Sequence, residues 1–323
     1  MITDVWYDYF LKTLSVRYPK KGKLVQELVN LLCLEREAVY RRLRKDVMFC
    51  AHEVAKIASS WNISLDEIIN ITSGKVSFQM QQVNYLNLSS QEELLIKMVI
   101  QGLLRAKDSS DTELMEICNK LPRPLLAGYS YLNQFYLFRW LYQYNNNGNN
   151  EVVVPFSQII ISKKVKELTR DYYHVIKQIP TTNFVFDRML FDNLVKDIQY
   201  FQSIRLITDG EKEFIKKDLF ALLDYLSEIA SRGCYPETKN KVNLYISQLS
   251  VSTNYSYFYT NELNTCFVHV FDKYDIYTHN MQMVNSFISW MKLKKRTSIQ
   301  ISEVDEKSRI DFFEKQWKIV ESL

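Results

Sequence analysis

The stretch KLVQELVNLLCLEREAVYRRLRKDVMFCAHEVAKIASSWNISLDEII, residues 23–69, decides how the N-terminal part of this chain folds. Leu24, Leu28, Leu31 and Leu32 recur at helical spacing and predict a first helix that stops near Cys33. A second runs from about Arg36 to Lys45. A third carries Val54, Ile57, Ala58 and Trp61, and a fourth carries Leu65, Ile68 and Ile69, opened by Ser64 and Glu67 in capping-box spacing. Arg36, Arg41, Arg42, Arg44 and Lys45 fall in the second helix, with Arg17, Lys20, Lys21 and Lys23 upstream. Residues three or four apart share a helix face, so Arg41 and Arg44 project together while Val39 and Leu43 form a separate apolar stripe. Short helices joined by tight turns, one of them with surface arginines, are the layout of a helix-turn-helix module.

The segments VQELVNLLCLEREAVYRRLR and KIASSWNISLDEII resemble the phage-repressor (Xre/Cro-like) helix-turn-helix family, in a variant similar to regulators common in Bacteroidetes. The likeness covers about 50 of the 323 residues. It departs from the family at Val29, where a small residue is usual, at Cys33 and Lys45, where glycine is usual, and at Glu35, where Ser or Thr caps the helix. The resemblance implies that the helix from about Glu35 to Lys45 enters the major groove of double-stranded DNA. Arg36, Glu37 and Arg41 match the base-reading positions, with Tyr40 and Arg44 beside them. Arginine's fork suits guanine O6 and N7, and Glu can accept from cytosine N4. Lys20, Lys21, Lys23 and Lys45 would hold phosphates, which positions the protein without specifying sequence.

Outward from this module, 323 residues predict about two domains at roughly 100–200 residues each. Hydrophobic residues at 47% and charged residues at 24% exclude a disordered or fibrous chain. Only 7 residues are glycine, against 21 tyrosines and 18 phenylalanines. Glycine supplies hairpin turns and phosphate loops, so the scarcity predicts a mostly α chain without a nucleotide-binding loop. Further capping pairs, Ser90/Glu93, Ser110/Glu113 and Thr208/Glu211, and the apolar sets Leu190/Leu194/Ile198/Phe201 and Ile215/Leu219/Leu222/Leu226/Ile229 predict more helices, the first of these sets within residues 184–201.

Residues 72–89 are polar and weakly periodic, which predicts a linker between a helix-turn-helix domain at 1–71 and a larger helical domain at 90–323. Residues 145–150 read as a surface loop. Within the larger domain the alternation of Val242, Leu244 and Ile246, then of Tyr255, Tyr257 and Tyr259, and the apolar run 266–271 predict a small antiparallel β-meander near residues 242–271. It would turn on residues 252–254 and 261–264, with helices at about 281–295 and 303–323 covering it.

No catalytic group stands out, and the expectation is a protein that is not an enzyme. Phosphate-loop, dinucleotide and nucleophile-elbow patterns do not occur. His52–Glu53 opens like a zincin motif but Lys56 holds the second histidine position, and Cys266 and His269 fall on opposite faces of a strand, so no metal or cofactor is expected. The aromatic residues between 129 and 144 read as core or as a stacking surface, and the Tyr255/Tyr257/Tyr259 stripe as packing or a pocket wall. Five scattered cysteines, no basic leader in residues 1–10 and no long apolar run predict a cytoplasmic protein outside the membrane. The net charge of +4 is too small to decide on nucleic acid by itself. Together these features predict a sequence-specific DNA-binding transcriptional regulator, dimeric because one small module covers little DNA, whose larger domain dimerises or answers an unidentified small-molecule or peptide effector. A helical protein-interaction scaffold is the alternative.

Overall fold

Tyr7, Phe10, Leu11 and Leu14 line one side of a helix, α1 (Val5–Arg17), that the pattern of residues 23–69 does not announce. In a computed structural model describing residues 5–61, 63–69, 75–80, 88–145, 154–259, 264–270, 274–278 and 280–323, the chain divides into two units, residues 1–78 and 79–323. In the first, α1 packs with α2 (Lys21–Leu32), α3 (Arg36–Leu43), α4 (Ala51–Trp61) and α5 (Leu65–Ile69) around Leu24, Val25, Leu28, Val39, Phe49, Val54, Ile57 and Trp61.

The second unit is built on a sheet, which corrects the expectation of a mostly α fold with a small antiparallel meander. Among the described residues eight strands form one mixed sheet in the order β1-β7-β6-β5-β2-β3-β4-β8. They are β1 (Gln79–Met80), β2 (Glu113–Cys118), β3 (Thr181–Phe186), β4 (Lys241–Ile246), β5 (Tyr255–Tyr259), β6 (Asn264–Val270), β7 (Tyr274–Thr278) and β8 (Ile299–Gln300). The strands β2, β3 and β4 pair in parallel, β5 joins β2 antiparallel, and β6 and β7 follow antiparallel. The three stretches expected to form one meander are therefore strands, but β2 and β3 stand between β4 and β5.

Two physical reasons hid this sheet. Parallel neighbours are joined by helical crossovers, so they need no glycine turns. Strands covered on both faces lose the in-out alternation that marks a half-buried strand: in β3, Thr182 to Phe186 are all buried. Glu113, read as the far end of a helix cap, instead opens β2, and Phe184 lies in β3 rather than in the helix that starts at Leu190.

Between β2 and β3 lie α7 (Arg123–Leu126), α8 (Ser130–Asn145) and α9 (Lys163–Ile176), and between β3 and β4 lie α10 (Leu190–Ser203) and α11 (Asp209–Arg232). One sheet face, with Cys118, Phe184, Phe186, Val242 and Leu244, packs on α8, α10, α11 and α13 (Glu306–Glu321). Phe135 and Phe138 of α8 are buried in that core, so this part of the aromatic stretch is packing. The opposite face carries Met115, Ile117, Val185, Tyr257 and Cys266 against α12 (Met281–Arg296). Tyr257 is buried in it and the Tyr255 ring lies 4.9 Å from that of Trp290, so these two tyrosines of the stripe pack on a helix, whereas Tyr259 is exposed. α6 (Leu88–Ala106) precedes β2 and packs with α9. The C-terminal helix α13 thus sits on the face away from the one α12 covers.

Residues 252–254 do form the turn into β5, where Asn254 Oδ1 accepts from the Asn119 and Lys120 N–H groups at 2.9 and 3.0 Å. Of the other stretches read as loop or linker, residues 72–74, 81–87, 146–150 and 261–263 lie outside the described residues, as does Phe271. The Thr208/Glu211 box is present: Thr208 Oγ1 accepts from the Glu211 N–H at 3.3 Å and Glu211 Oε2 accepts from the Thr208 N–H at 2.8 Å. Thr208→Ala should lower the denaturant midpoint of the second unit by an amount equivalent to about 1 kcal/mol, with an unchanged slope.

Candidate nucleic-acid interface

The turn from α2 to α3 depends on a left-handed residue. Cys33 closes α2 at φ 55° and ψ 41°, and Glu35 then turns extended, at φ −65° and ψ 148°, to start α3. At the far end of α3, Lys45 has φ 68°. Its N–H donates to Arg42 O at 3.1 Å while the Asp46 N–H donates to Arg41 O at 2.9 Å, the hydrogen-bond pair of a Schellman terminus. Cys33 and Lys45 are the two positions where the resemblance expects glycine. The backbone keeps glycine's conformation at both with side chains that are strained there, a cost of about 1–2 kcal/mol for a residue other than glycine. Glu35 makes no side-chain cap bond to α3, so the poor cap read from the sequence is a poor cap in space.

With its ends so placed, α3 buries Val39 and turns Arg36, Glu37 and Arg41 to solvent, with Tyr40 half-buried beside them. Arg44 and Lys45, also exposed, follow at the C-terminal end, and Lys20, Lys21 and Lys23 are exposed around the start of α2. The nine residues are not equally available. Arg44 donates to Glu37 Oε1 at 2.8 Å and to Asp46 Oδ2 at 3.0 Å, so a base-reading candidate and its neighbour hold each other. Lys45 pairs with Asp8 of α1. The Lys21 ammonium lies 5.9 Å from the Tyr40 ring centre and that of Lys23 lies 5.8 Å from Tyr18. Among the described residues, the side chains of Lys20, Arg36 and Arg41 make no hydrogen bond or ion pair. These exposed pairs contribute little to stability, roughly 0–1 kcal/mol each, so a phosphate can displace them.

Arg42 belongs to the same basic run but faces inward. Its Nε and Nη2 donate to the two oxygens of Glu53 on α4 at 2.9 and 2.8 Å, and its Nη1 donates to Ala38 O at 3.1 Å. Glu53 also accepts from the Cys50 N–H at 2.9 Å, which caps α4. Tyr7 of α1 completes the joint: its hydroxyl accepts from the Phe49 N–H at 3.0 Å and donates to Arg42 O at 3.4 Å. The glutamate of the zincin-like pair His52–Glu53 is thus engaged by an arginine. A Glu three residues past the start of a helix is a readable capping signal, and Cys50 to Glu53 has that spacing. The sequence pattern gives no comparable sign of α1.

Burial pushes the Glu53 carboxyl up, but the Arg42 fork and the Cys50 N–H outweigh it and hold the group below the usual carboxylate range. A carboxyl whose folded value is depressed stabilises the fold above its unfolded value, about 4.3, and loses that contribution as pH falls through the folded value. Glu53→Gln should therefore destabilise the first unit at pH 7 by about 2–3 kcal/mol and flatten its loss of stability below about pH 4.5, measured by denaturant titration across pH. Cys33→Gly should leave the fold intact and raise stability by up to about 1 kcal/mol, the relief at φ 55° less the greater freedom glycine gives the unfolded chain. Protein-family models, curated proteins and solved structures give no match to this chain.

Proposed function

We propose that this chain is a sequence-specific DNA-binding transcriptional regulator, acting in the cytoplasm as a dimer, whose second unit is regulatory. The supporting observation is the outward face of α3. Arg36 and Arg41 stand on it exposed and unengaged among the described residues, while Val39 and the Arg42–Glu53 fork hold the opposite side. An α-helix of this kind fits the major groove, and its arginines carry the fork that guanine recognises. Lys20, Lys21, Lys23 and Lys45 supply the sequence-independent attraction to phosphate, and Glu37 becomes free to meet a base once Arg44 turns to the backbone of the DNA. Two such modules on half-sites about one helical turn apart give the affinity that one lacks. The second unit, 245 residues from Gln79 to Leu323, is larger than a dimer clasp requires, which favours a regulatory role for it. No helix among the described residues is long and apolar enough to cross a membrane.

The reading separates two kinds of variant by fluorescence anisotropy over a salt series. Arg41→Ala should weaken binding to a preferred site by about 1–3 kcal/mol and binding to random duplex much less. Lys20→Ala should weaken both alike and lower the slope of log K against log salt by about one. Equal losses on both DNAs for Arg41→Ala would remove base reading from α3.

A further inference from the structure

Outside the carboxyl ends of β2 and β3, between α8 and α10, lies a cavity of about 510 Å³. Asn119, Lys120 and Leu121 line it as the chain leaves β2, and Leu190 and Asn193 line it where α10 begins after β3. The two strand ends stay together because the Asp187 N–H donates to Cys118 O at 2.8 Å. Open α/β sheets bind ligands in the crevice beyond the carboxyl ends of their strands, and such sites are largely preformed and roughly 300–1,000 Å³ in volume. Packing preforms this one: the centre of the Phe201 ring of α10 lies 5.9, 4.8 and 5.0 Å from those of Phe135, Phe138 and Tyr142 of α8.

The lining has two parts. Leu121, Leu126, Leu132, Phe135, Leu190 and Phe201 are buried and apolar. Less buried are Lys120, Arg139, Lys196 and Asp197, three basic side chains against one acidic. Arg139 of α8 pairs with Asp197 of α10, its Nη1 donating to Oδ2 at 2.7 Å, which uses one of the five N–H donors of a guanidinium. Its Nε and Nη2 make no hydrogen bond to any described residue, although the side chain is only 12% exposed. Donors screened from water in this way are satisfied by a planar carboxylate, which takes two parallel N–H bonds from the fork. The rest of the rim sets the same sign. An amine would meet Lys120, Arg139 and Lys196 and a single carboxylate already engaged, whereas an anion meets an excess of positive charge. The buried part of the lining offers apolar surface, with the rings of Phe135 and Phe201 suited to a flat aromatic body.

We propose that this cavity binds a small aromatic carboxylic acid, its carboxylate held by the Arg139 fork and its ring on the apolar floor beside Phe135 and Phe201. Such an acid is the effector of the second unit on the regulatory reading, while the site itself stands without DNA binding. Asp197 keeps Nη1 and so fixes the orientation of the fork. Three residues further along each helix the hydroxyls of Tyr142 and Tyr200, 3.3 Å apart, join α8 to α10 a second time.

Calorimetric titration of the full-length chain, without DNA, tests this with phenylacetate, 3-phenylpropionate and indole-3-acetate, beside 2-phenylethanol and 2-phenylethylamine as neutral and cationic counterparts. The expected result is binding of at least one acid with a Kd below about 1 mM, at least about tenfold tighter than either counterpart. Arg139→Gln should weaken that binding at least about tenfold, as the loss of a charged pair of hydrogen bonds does. Asp197→Asn breaks the same ion pair but leaves Arg139, so it should bind the acid at least as tightly as the native chain. Should Arg139→Gln not fold, Asp197→Asn and the preference for acid over alcohol in the native chain decide. No acid with a Kd below about 1 mM, equal binding of the alcohol or the amine, unchanged binding in a folded Arg139→Gln, or loss of binding in a folded Asp197→Asn would overturn the proposal. Since no DNA is present, each of these outcomes leaves base reading by α3 untouched.

Discussion

The presentation of α3 depends on the Arg42–Glu53 fork. It joins two helices at two points, 2.9 and 2.8 Å, and shares Glu53 with the N-terminus of α4. The Tyr7 hydroxyl ties α1 to the same joint through the Phe49 N–H. An α-helix of eight residues is too short to persist without tertiary contacts. Val39, with Tyr40 and Leu43 packed less deeply, seats it on the core, and the fork adds a polar tie on the same side, so Arg36 and Arg41 point outward together. Removing one member would leave the other charge partly buried and unpaired, which costs more than the pair itself contributes.

The second unit answers to a different constraint. Its parallel strands β2, β3 and β4 are buried on both faces and must be linked by long helical crossovers, which the chain supplies with little glycine. Five residues other than glycine take positive φ among the described residues, Cys33, Lys45, Arg205, Lys239 and Glu303, against one glycine, Gly233. Several of these stand at or just past the ends of helices, where the left-handed position terminates the helix. Scarcity of glycine is therefore a statement about how this chain ends its helices, not about whether it contains a sheet.

The first unit was legible because each of its signals is local. Apolar residues at helical spacing and a turn of a few residues can be read along a line, and α2 to α5 follow them. The turns at Cys33 and Lys45 were marked as unusual by their residues, and both are unusual in conformation. The sheet was illegible where its information is non-local. Nothing in TTNFVF or ELMEIC says which strand will lie beside it, and burial on both faces removes the alternation that would have marked it. The strands that did alternate, around Tyr257, were readable one by one but not in their order. In the candidate interface Arg42 looked like its neighbours, because the sequence places it in a basic run and only packing against Glu53 turns it inward.

The central claim is that the exposed face of α3 reads a DNA sequence. Selection of bound molecules from random duplex DNA by the full-length chain, beside a chain carrying both Arg36→Ala and Arg41→Ala, tests it most directly. The account predicts enrichment of a paired site with guanine in each half for the native chain and no such enrichment for the variant. A native chain that is folded and enriches no site, or a variant that enriches the same one, would contradict it.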